Sequence, residues 1–214
     1  MKRLTSTSWL IIPASVFLGC DAKESTMSAG SEKAATKIVN DSAAMEITFG
    51  GSASAKQVDW GVAPVKQLHA SKDLYNKPAP KLIVEKWLGQ KPSLDGKFVL
   101  IDFWATWCGP CLKAIPELNS LSKEFPKDVV VIGISSESEA TVRGLKEAKI
   151  EYYSAVDTKG RTKKAVGVSG IPHVVLVDPS GTVCWQGFPF ENGFELTAKV
   201  IQECIDRYAG RNSQ

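Results

Sequence analysis

Between residues 98 and 187 the apolar positions fall into four short runs separated by polar or turn-forming segments. The first run, FVLIDFW at 98–104, is almost continuously apolar and follows Asp95-Gly96. Three similar runs occupy 129–134, 173–177 and 183–187. Runs of this length predict buried strands. The sequence DPSG at 178–181 predicts a tight turn, so the last two strands should form a hairpin.

Helical spacing is found between and after these runs. Leu112, Ile115, Leu118 and Leu121 recur every third residue, which predicts a helix over 108–124 with a kink at Pro116. Further helical segments are expected at 137–148, 163–166 and 194–208, and a short extended piece at 152–156. Strands that alternate with helices and end in a hairpin indicate an α/β fold, with a central mixed sheet flanked by helices.

The first twenty residues have a different character. Lys2 and Arg3 precede an apolar run at 9–18, which has the length of the apolar part of a signal peptide. Gly19-Cys20 follows, and the arrangement resembles the lipobox of bacterial lipoproteins, in which cleavage precedes a cysteine that carries lipid. Ordinary secretion and an uncleaved anchor are the alternatives. All three place the mature protein outside the cytoplasm. In that oxidising environment, cysteines are expected to be disulfide-bonded or to have a functional role.

The segment that follows is predicted to be a flexible tether, because Ser, Ala, Lys, Glu and Gly dominate it. Apolar residues at 45–49 and 58–65 could nevertheless form a short strand or pack as an arm. The expected organisation is a lipoprotein-type signal peptide at 1–19, a tether at 20–73 and a globular domain at 74–214.

Composition excludes several classes of function. The 214 residues are 43% hydrophobic and 23% charged, as in an ordinary globular protein. The net charge is only +3, and there is no basic block long enough to bind nucleic acid. Two histidines and five cysteines leave little material for a metal centre. No metal or other cofactor is therefore expected.

The chemistry lies in Trp107-Cys108-Gly109-Pro110-Cys111, which follows a predicted strand and opens a predicted helix. Unpaired N–H groups and the helix dipole stabilise a thiolate at a helix N-terminus, and the thiolate is the nucleophile. Two intervening residues bring the second sulfur within disulfide reach, and a proline is compatible with the first turn. We expect Cys108 to attack a substrate disulfide and Cys111 to resolve the mixed disulfide.

A zinc half-site and a passive disulfide are the structural alternatives for this motif. A structural zinc site needs four ligands, usually a second CxxC or paired histidines, which the chain lacks. A passive disulfide in so short a loop would remove little chain entropy. Cys184 and Cys204 could form a second disulfide or remain buried thiols, and the sequence leaves both open.

Asp102 is the one charged residue in the first apolar run. Burying a carboxyl is costly unless it is paired or functional, and burial should raise its pKa. The alternative is that Asp102 has a purely structural role and is held by hydrogen bonds.

Two segments carry a family resemblance. FVLIDFWATWCGPC at 98–111 resembles the active-site strand of thioredoxins, and Gly170-Ile171-Pro172 resembles their cis-proline loop. With NKPAP at 76–80 and VDPSG at 177–181, residues 74–208 are most similar to the TlpA/ResA-like family of membrane-tethered thioredoxins. The resemblance implies a thioredoxin-like fold at 74–214 and an extracytoplasmic thiol–disulfide oxidoreductase. In a diderm cell it would lie on the periplasmic side of the inner membrane.

The resemblance also implies roles for single residues. Pro172 would form a cis peptide beside the sulfurs, with an ordinary trans proline as the alternative. Asp102 would take the proton of Cys111. The substrate contacts would come from Trp107, Gly109, Pro110, Ile171 and His173, although His173 could equally be a structural strand residue. The Gly-Pro dipeptide and Ile171 match strongly reducing members, which favours a reductase.

The implied partners are disulfide-containing client proteins, apocytochrome c among them, and a membrane electron donor of the CcdA or DsbD type. The membrane itself would be bound through lipidated Cys20. A copper-binding assembly protein and a peroxiredoxin-like peroxidase are alternatives on the same fold. The CxxC spacing disfavours the first, and Thr106-Trp107-Cys108 matches the second only loosely.

Overall fold

The computed structural model describes residues 44–50, 59–61 and 68–212. Its elements in these ranges are β1 (Met45–Ile47), β2 (Leu82–Val84), β3 (Lys86–Trp87), β4 (Phe98–Trp104), α1 (Gly109–Glu124), β5 (Val129–Ser135), α2 (Glu139–Arg143), β6 (Tyr153–Val156), α3 (Arg161–Val166), β7 (His173–Val177), β8 (Val183–Gly187) and α4 (Ala198–Asn212). The predicted signal peptide and Cys20 lie outside the described residues. Among the helices described, none has the length and apolar character needed to cross a membrane.

Six strands form one mixed sheet in the order β3-β6-β5-β4-β7-β8. β4 pairs in parallel with β5, and β5 pairs in parallel with β6. β7 pairs with β4 and β8 in antiparallel fashion, as β3 does with β6. β1 and β2 form a separate antiparallel pair. The predicted α/β fold with a mixed sheet is confirmed, and β4 occupies the interior of that sheet.

Alternate residues of β4 face two different cores. Phe98 and Leu100 pack with the buried face of α1, which includes Ile115 and Leu118. Val99, Ile101 and Phe103 pack on the other side of the sheet with residues of β2 and α3. Because both faces are covered, the whole strand is buried, and this explains why its sequence reads as a continuous apolar run.

The strands were predicted more accurately than the helices. β4, β7 and β8 have the expected bounds, but α2 is much shorter than the expected 137–148. It begins after Ser138, whose Oγ accepts the N–H of Thr141 at 3.1 Å, and it ends at Gly144. α4 begins at Ala198 rather than 194, because Glu191 and Phe194 form a turn before it. Local hydrogen bonds therefore set these helix ends.

The described parts of the predicted tether contact the domain. Met45–Ile47 is a strand paired with β2, and the Ala70 backbone bridges Val168. Trp60 is 3% exposed and lies in the core on the α1 side of the sheet. The apolar residues at 45–49 and 58–65 had allowed a strand or an arm, and these contacts agree with that alternative rather than with a fully flexible tether.

Candidate active site

The redox motif lies where β4 leads into α1. Cys108 is the N-cap residue of α1, with extended φ and ψ of −87° and 95°, and Gly109 and Pro110 form the start of the helix. The Sγ of Cys108 accepts the backbone N–H of Cys111 at 3.2 Å. Pro110 has no N–H to leave unpaired in this first turn. The sulfur therefore takes the place that a serine or aspartate oxygen occupies in other helix caps.

Cys108 and Cys111 form a disulfide, with their Cα atoms 5.2 Å apart. Cys111 is completely buried, whereas Cys108 retains 4% exposure. Trp107 beside it is 74% exposed, and Gly109 and Pro110 also lie at the surface. Cys108 is thus flanked in the chain by exposed residues that were predicted from the sequence as substrate contacts.

Glu137 braces the loop that precedes Cys108, a role that was not predicted from the sequence. Its carboxylate accepts both the N–H and the hydroxyl of Thr106, each at 2.7 Å. The Ser135 hydroxyl donates to the same carboxylate at 3.1 Å. Glu137 follows β5 and Thr106 follows β4, and neighbouring parallel strands end at the same edge of a sheet. That topological rule is the clue that could have identified Glu137.

Asp102 lies on the α1 side of β4, between Leu100 and Trp104 in the alternation of that strand. Trp104, the next residue on that face of the strand, packs in one cluster with Cys108 and Cys111. Asp102 is 1% exposed, and burial raises its pKa to about 7. A hydrogen bond from the Tyr152 hydroxyl to Oδ2, at 3.4 Å, opposes this shift.

The Ile171–Pro172 peptide bond is cis, as the resemblance implied. Ile171 packs against the cluster that contains both cysteines, so this loop borders the redox pair. The N–H groups of Ser169 and Gly170 both donate to the carbonyl of His69, at 3.0 and 3.1 Å. A described part of the predicted tether thus holds the loop in place.

His173 does not fit the predicted role of a substrate contact. Its ring is 0% exposed, and it pairs with Phe103, whose side chain faces away from α1. Nε2 lies 3.3 Å from Gln186 Nε2, and in the described part of the chain no hydrogen-bond partner of Nδ1 is found. Burial lowers the pKa of His173 to about 4. A buried ring with no surface cannot touch a client, so the structural alternative is favoured.

Cys184 and Cys204 are both buried and reduced. The Cys184 thiol donates to the Leu176 carbonyl at 3.4 Å. Burial raises the pKa of Cys184, and the neighbouring Cys204 thiol adds to that rise. In the described part of the chain, no three His, Cys, Asp or Glu side chains are grouped so as to hold a metal ion.

A strand–CxxC–helix unit and a cis-proline loop on this mixed sheet define a thioredoxin-like protein. The profile of the AhpC/TSA family matches residues 76–186, more than half of the chain, so the chain belongs to that family. A solved structure, thioredoxin-like superfamily protein SPOA0173, superposes with a TM-score of 0.53 at 22% identity. That match covers 62% of this chain and 96% of the solved one, and it supports the fold.

The chain is also similar to proteins named thiol-disulfide oxidoreductase ResA. It is 34% identical to the one from Bacillus thuringiensis subsp. konkukian over 113 residues, which are 50% of this chain and 65% of that protein. It is 29% identical to the one from Bacillus subtilis over 111 residues, which are 49% of this chain and 62% of that protein. The chain thus spans slightly less than two thirds of these relatives.

Proposed function

We propose that this protein is an extracytoplasmic thiol–disulfide oxidoreductase that reduces disulfide bonds of client proteins through Cys108 and Cys111. The observation that carries the proposal is the asymmetric sulfur pair at the start of α1. Cys108 caps the helix, lies beside exposed Trp107 and retains 4% exposure, whereas Cys111 is completely buried. The names of the similar ResA proteins support the same activity.

The reaction transfers two electrons from the reduced pair to the client. The Cys108 thiolate attacks one sulfur of the client disulfide, and the other client sulfur leaves as a thiolate. The Cys111 thiolate then attacks Cys108 Sγ, which releases the second client thiolate and forms the internal disulfide. The Cys111 N–H, which contacts Cys108 Sγ at 3.2 Å, stabilises negative charge on that sulfur before the first attack.

Asp102 is the proposed proton acceptor for Cys111. The resolving thiol is completely buried, so its proton needs a nearby base. Asp102 lies on the same side of the sheet, and a pKa of about 7 suits a group that exchanges protons near neutral pH. General base assistance of this kind is typically worth about 10²–10⁴-fold in rate.

The reducing direction and the location rest on the resemblance of the sequence. Gly109-Pro110 and Ile171 match strongly reducing members of the family. The disulfide of a reductase outside the cytoplasm must be reduced again after each cycle. A membrane donor of the CcdA or DsbD type would supply the two electrons that this requires. A lipid on Cys20 would hold the domain close to such a donor.

Insulin reduction with dithiothreitol as donor tests the activity. The wild type should precipitate insulin chains, and Cys108→Ser should be inactive. Cys111→Ser should accumulate mixed disulfides that a nonreducing gel reveals. Cys184→Ala is the matched control, because it removes a cysteine far along the chain from the motif and should remain active. Full activity of Cys108→Ser would refute the assignment.

Equilibration with glutathione tests the direction. We expect a potential near that of thioredoxin, roughly −270 mV, and a potential near that of DsbA, about −120 mV, would indicate an oxidant instead. Peroxide consumption and Cu(I) titration test the two alternatives on this fold. One contact argues against the peroxidase alternative. The Thr106 hydroxyl already donates a hydrogen bond to Glu137, so it is not free to donate one to a peroxide.

A further inference from the structure

Tyr152 is the polar partner of Asp102. It lies immediately before β6, and its hydroxyl donates to Asp102 Oδ2 at 3.4 Å in a buried setting. Among the residues that the structure describes, Oδ1 of the same carboxyl has no hydrogen-bond partner. Within the described ranges, the Tyr152 hydroxyl is therefore the one hydrogen-bond donor to this carboxyl.

Gly133 of β5 makes room for this contact. It pairs with Asp102 across the β4–β5 ladder. A Cβ atom at position 133 would lie 2.9 Å from Tyr152 Cε2 and 3.0 Å from Trp104 Nε1. Both distances are shorter than ordinary contacts of a side chain. A side chain at position 133 would therefore displace the Tyr152 ring, the Trp104 indole or both.

The surroundings of Asp102 contain few other ionisable groups. Its partners across the ladders with β5 and β7 are Gly133 and Val174, neither of which is ionisable, and Cys111 is the titratable residue on the buried face of α1. Burial and the Tyr152 hydroxyl are the influences on the protonation of Asp102, and no charged side chain in the described ranges contributes. Burial is the larger influence, and the Tyr152 hydroxyl is the group that opposes it.

Tyr152 is also one of the residues that line a surface cavity of about 730 Å³, together with residues of β5, β6 and the α2–β6 connection. Tyr152 itself is 7% exposed.

We propose that Tyr152 is a positioning residue for the resolving step, whose hydroxyl orients the Asp102 carboxylate and favours its ionised, proton-accepting form. The inference rests on the proposed function, since it assigns a role in the same reaction. Removing the hydroxyl should make the ionised carboxylate harder to form, because a hydrogen bond to the charged form favours that form.

Direct titration tests the inference without any enzymatic assay. The carboxyl ¹³C shift of Asp102 is followed from pH 4 to 10 in the oxidised protein and is assigned with Asp102→Asn. Tyr152→Phe keeps the ring and should raise the midpoint by about one pH unit. Tyr153→Phe is the matched control on the adjacent, partly exposed residue and should leave it unchanged. In the wild type, the Tyr152 ring carbon should report the same midpoint as Asp102.

Stopped-flow kinetics then test the role in the reaction. With a midpoint near 7, a one-unit rise makes resolution about fivefold slower at pH 7 and nearly normal at pH 9. In an Asp102→Asn background, Tyr152→Phe should have no further effect, since the group it acts on is gone. An unchanged carboxyl midpoint in Tyr152→Phe, or an equal slowing in both backgrounds, would overturn the inference. Loss of insulin reduction in the wild type would instead refute the proposed function and leave the titration result valid.

Discussion

Trp60 donates a hydrogen bond from its indole Nε1 to Asp178 Oδ2 at 3.0 Å, although 118 residues separate them in the chain. The Arg207 guanidinium lies over the same ring at 5.6 Å, and the Tyr75 hydroxyl donates to the Trp60 carbonyl at 2.7 Å. Trp60 thus joins the segment before the domain to the β7–β8 turn and to α4. These contacts make it part of the core.

Replacing Trp60 should destabilise the fold. Trp60→Ala removes a buried aromatic side chain and should lower the free energy of unfolding by about 3–5 kcal/mol. Trp60→Phe retains most of the ring but loses the hydrogen bond to Asp178, so it should cost about 1–3 kcal/mol. Urea unfolding measures both. Trp107→Ala, at a residue that is 74% exposed, is the control and should change stability little. Equal losses at both tryptophans would contradict the packing described.

Stability should depend on pH through Asp102. Its pKa is about 7 in the folded protein and 3.8 in a model peptide. The folded state binds the proton more tightly, so its contribution to stability is full below about pH 4 and is lost as pH rises through about 7. Asp102→Asn should therefore gain stability relative to the wild type across this window, by up to about 4 kcal/mol above pH 7.

Urea unfolding of the wild type and Asp102→Asn at pH 4, 5.5, 7 and 8.5 measures this difference. Asp95→Asn, at an exposed position, controls for the loss of a carboxyl. A stability difference between the wild type and Asp102→Asn that stays constant from pH 4 to 8.5 would show that the carboxyl titrates alike in both states.

Cys184 and Cys204 should resist alkylation in the native protein. Both thiols are buried, and the thiolate is the reactive form, which burial disfavours at Cys184. Iodoacetamide should label neither peptide in the folded, oxidised protein but both after unfolding in guanidinium, as read by mass spectrometry. Recovery of a peptide pair linked between Cys184 and Cys204 would mean that the two thiols are oxidised in solution.

The lipid anchor remains a prediction from the N-terminal sequence. Lys2, Arg3, the apolar run at 9–18 and Gly19-Cys20 predict a lipoprotein that incorporates labelled palmitate and partitions into detergent. Cys20→Ser should abolish the label because it removes the acylated thiol. Recovery of the wild type as an unlabelled protein in the aqueous phase would favour ordinary secretion.

The parts of the protein that depend on local chemistry could be predicted from the sequence. Local sequence determines three of these parts: the β4 run, the DPSG turn and the Cys108-Gly109-Pro110-Cys111 motif. Their causes are burial on both faces, turn propensity and helix capping, each of which acts within a few residues. The buried carboxyl of Asp102 was predictable for the same reason.

The partners of these residues were decided by the tertiary structure. Tyr152 reaches Asp102, Glu137 holds Thr106 and Trp60 reaches Asp178 across long stretches of chain. Periodicity describes which side of an element is buried, but it does not say which distant side chain will face it. The described part of the predicted tether illustrates this. Its polar, glycine-rich composition indicated flexibility. Trp60 is nevertheless buried between the β7–β8 turn and α4, and this burial orders the described residues around it. That burial exists only when all three segments are folded together.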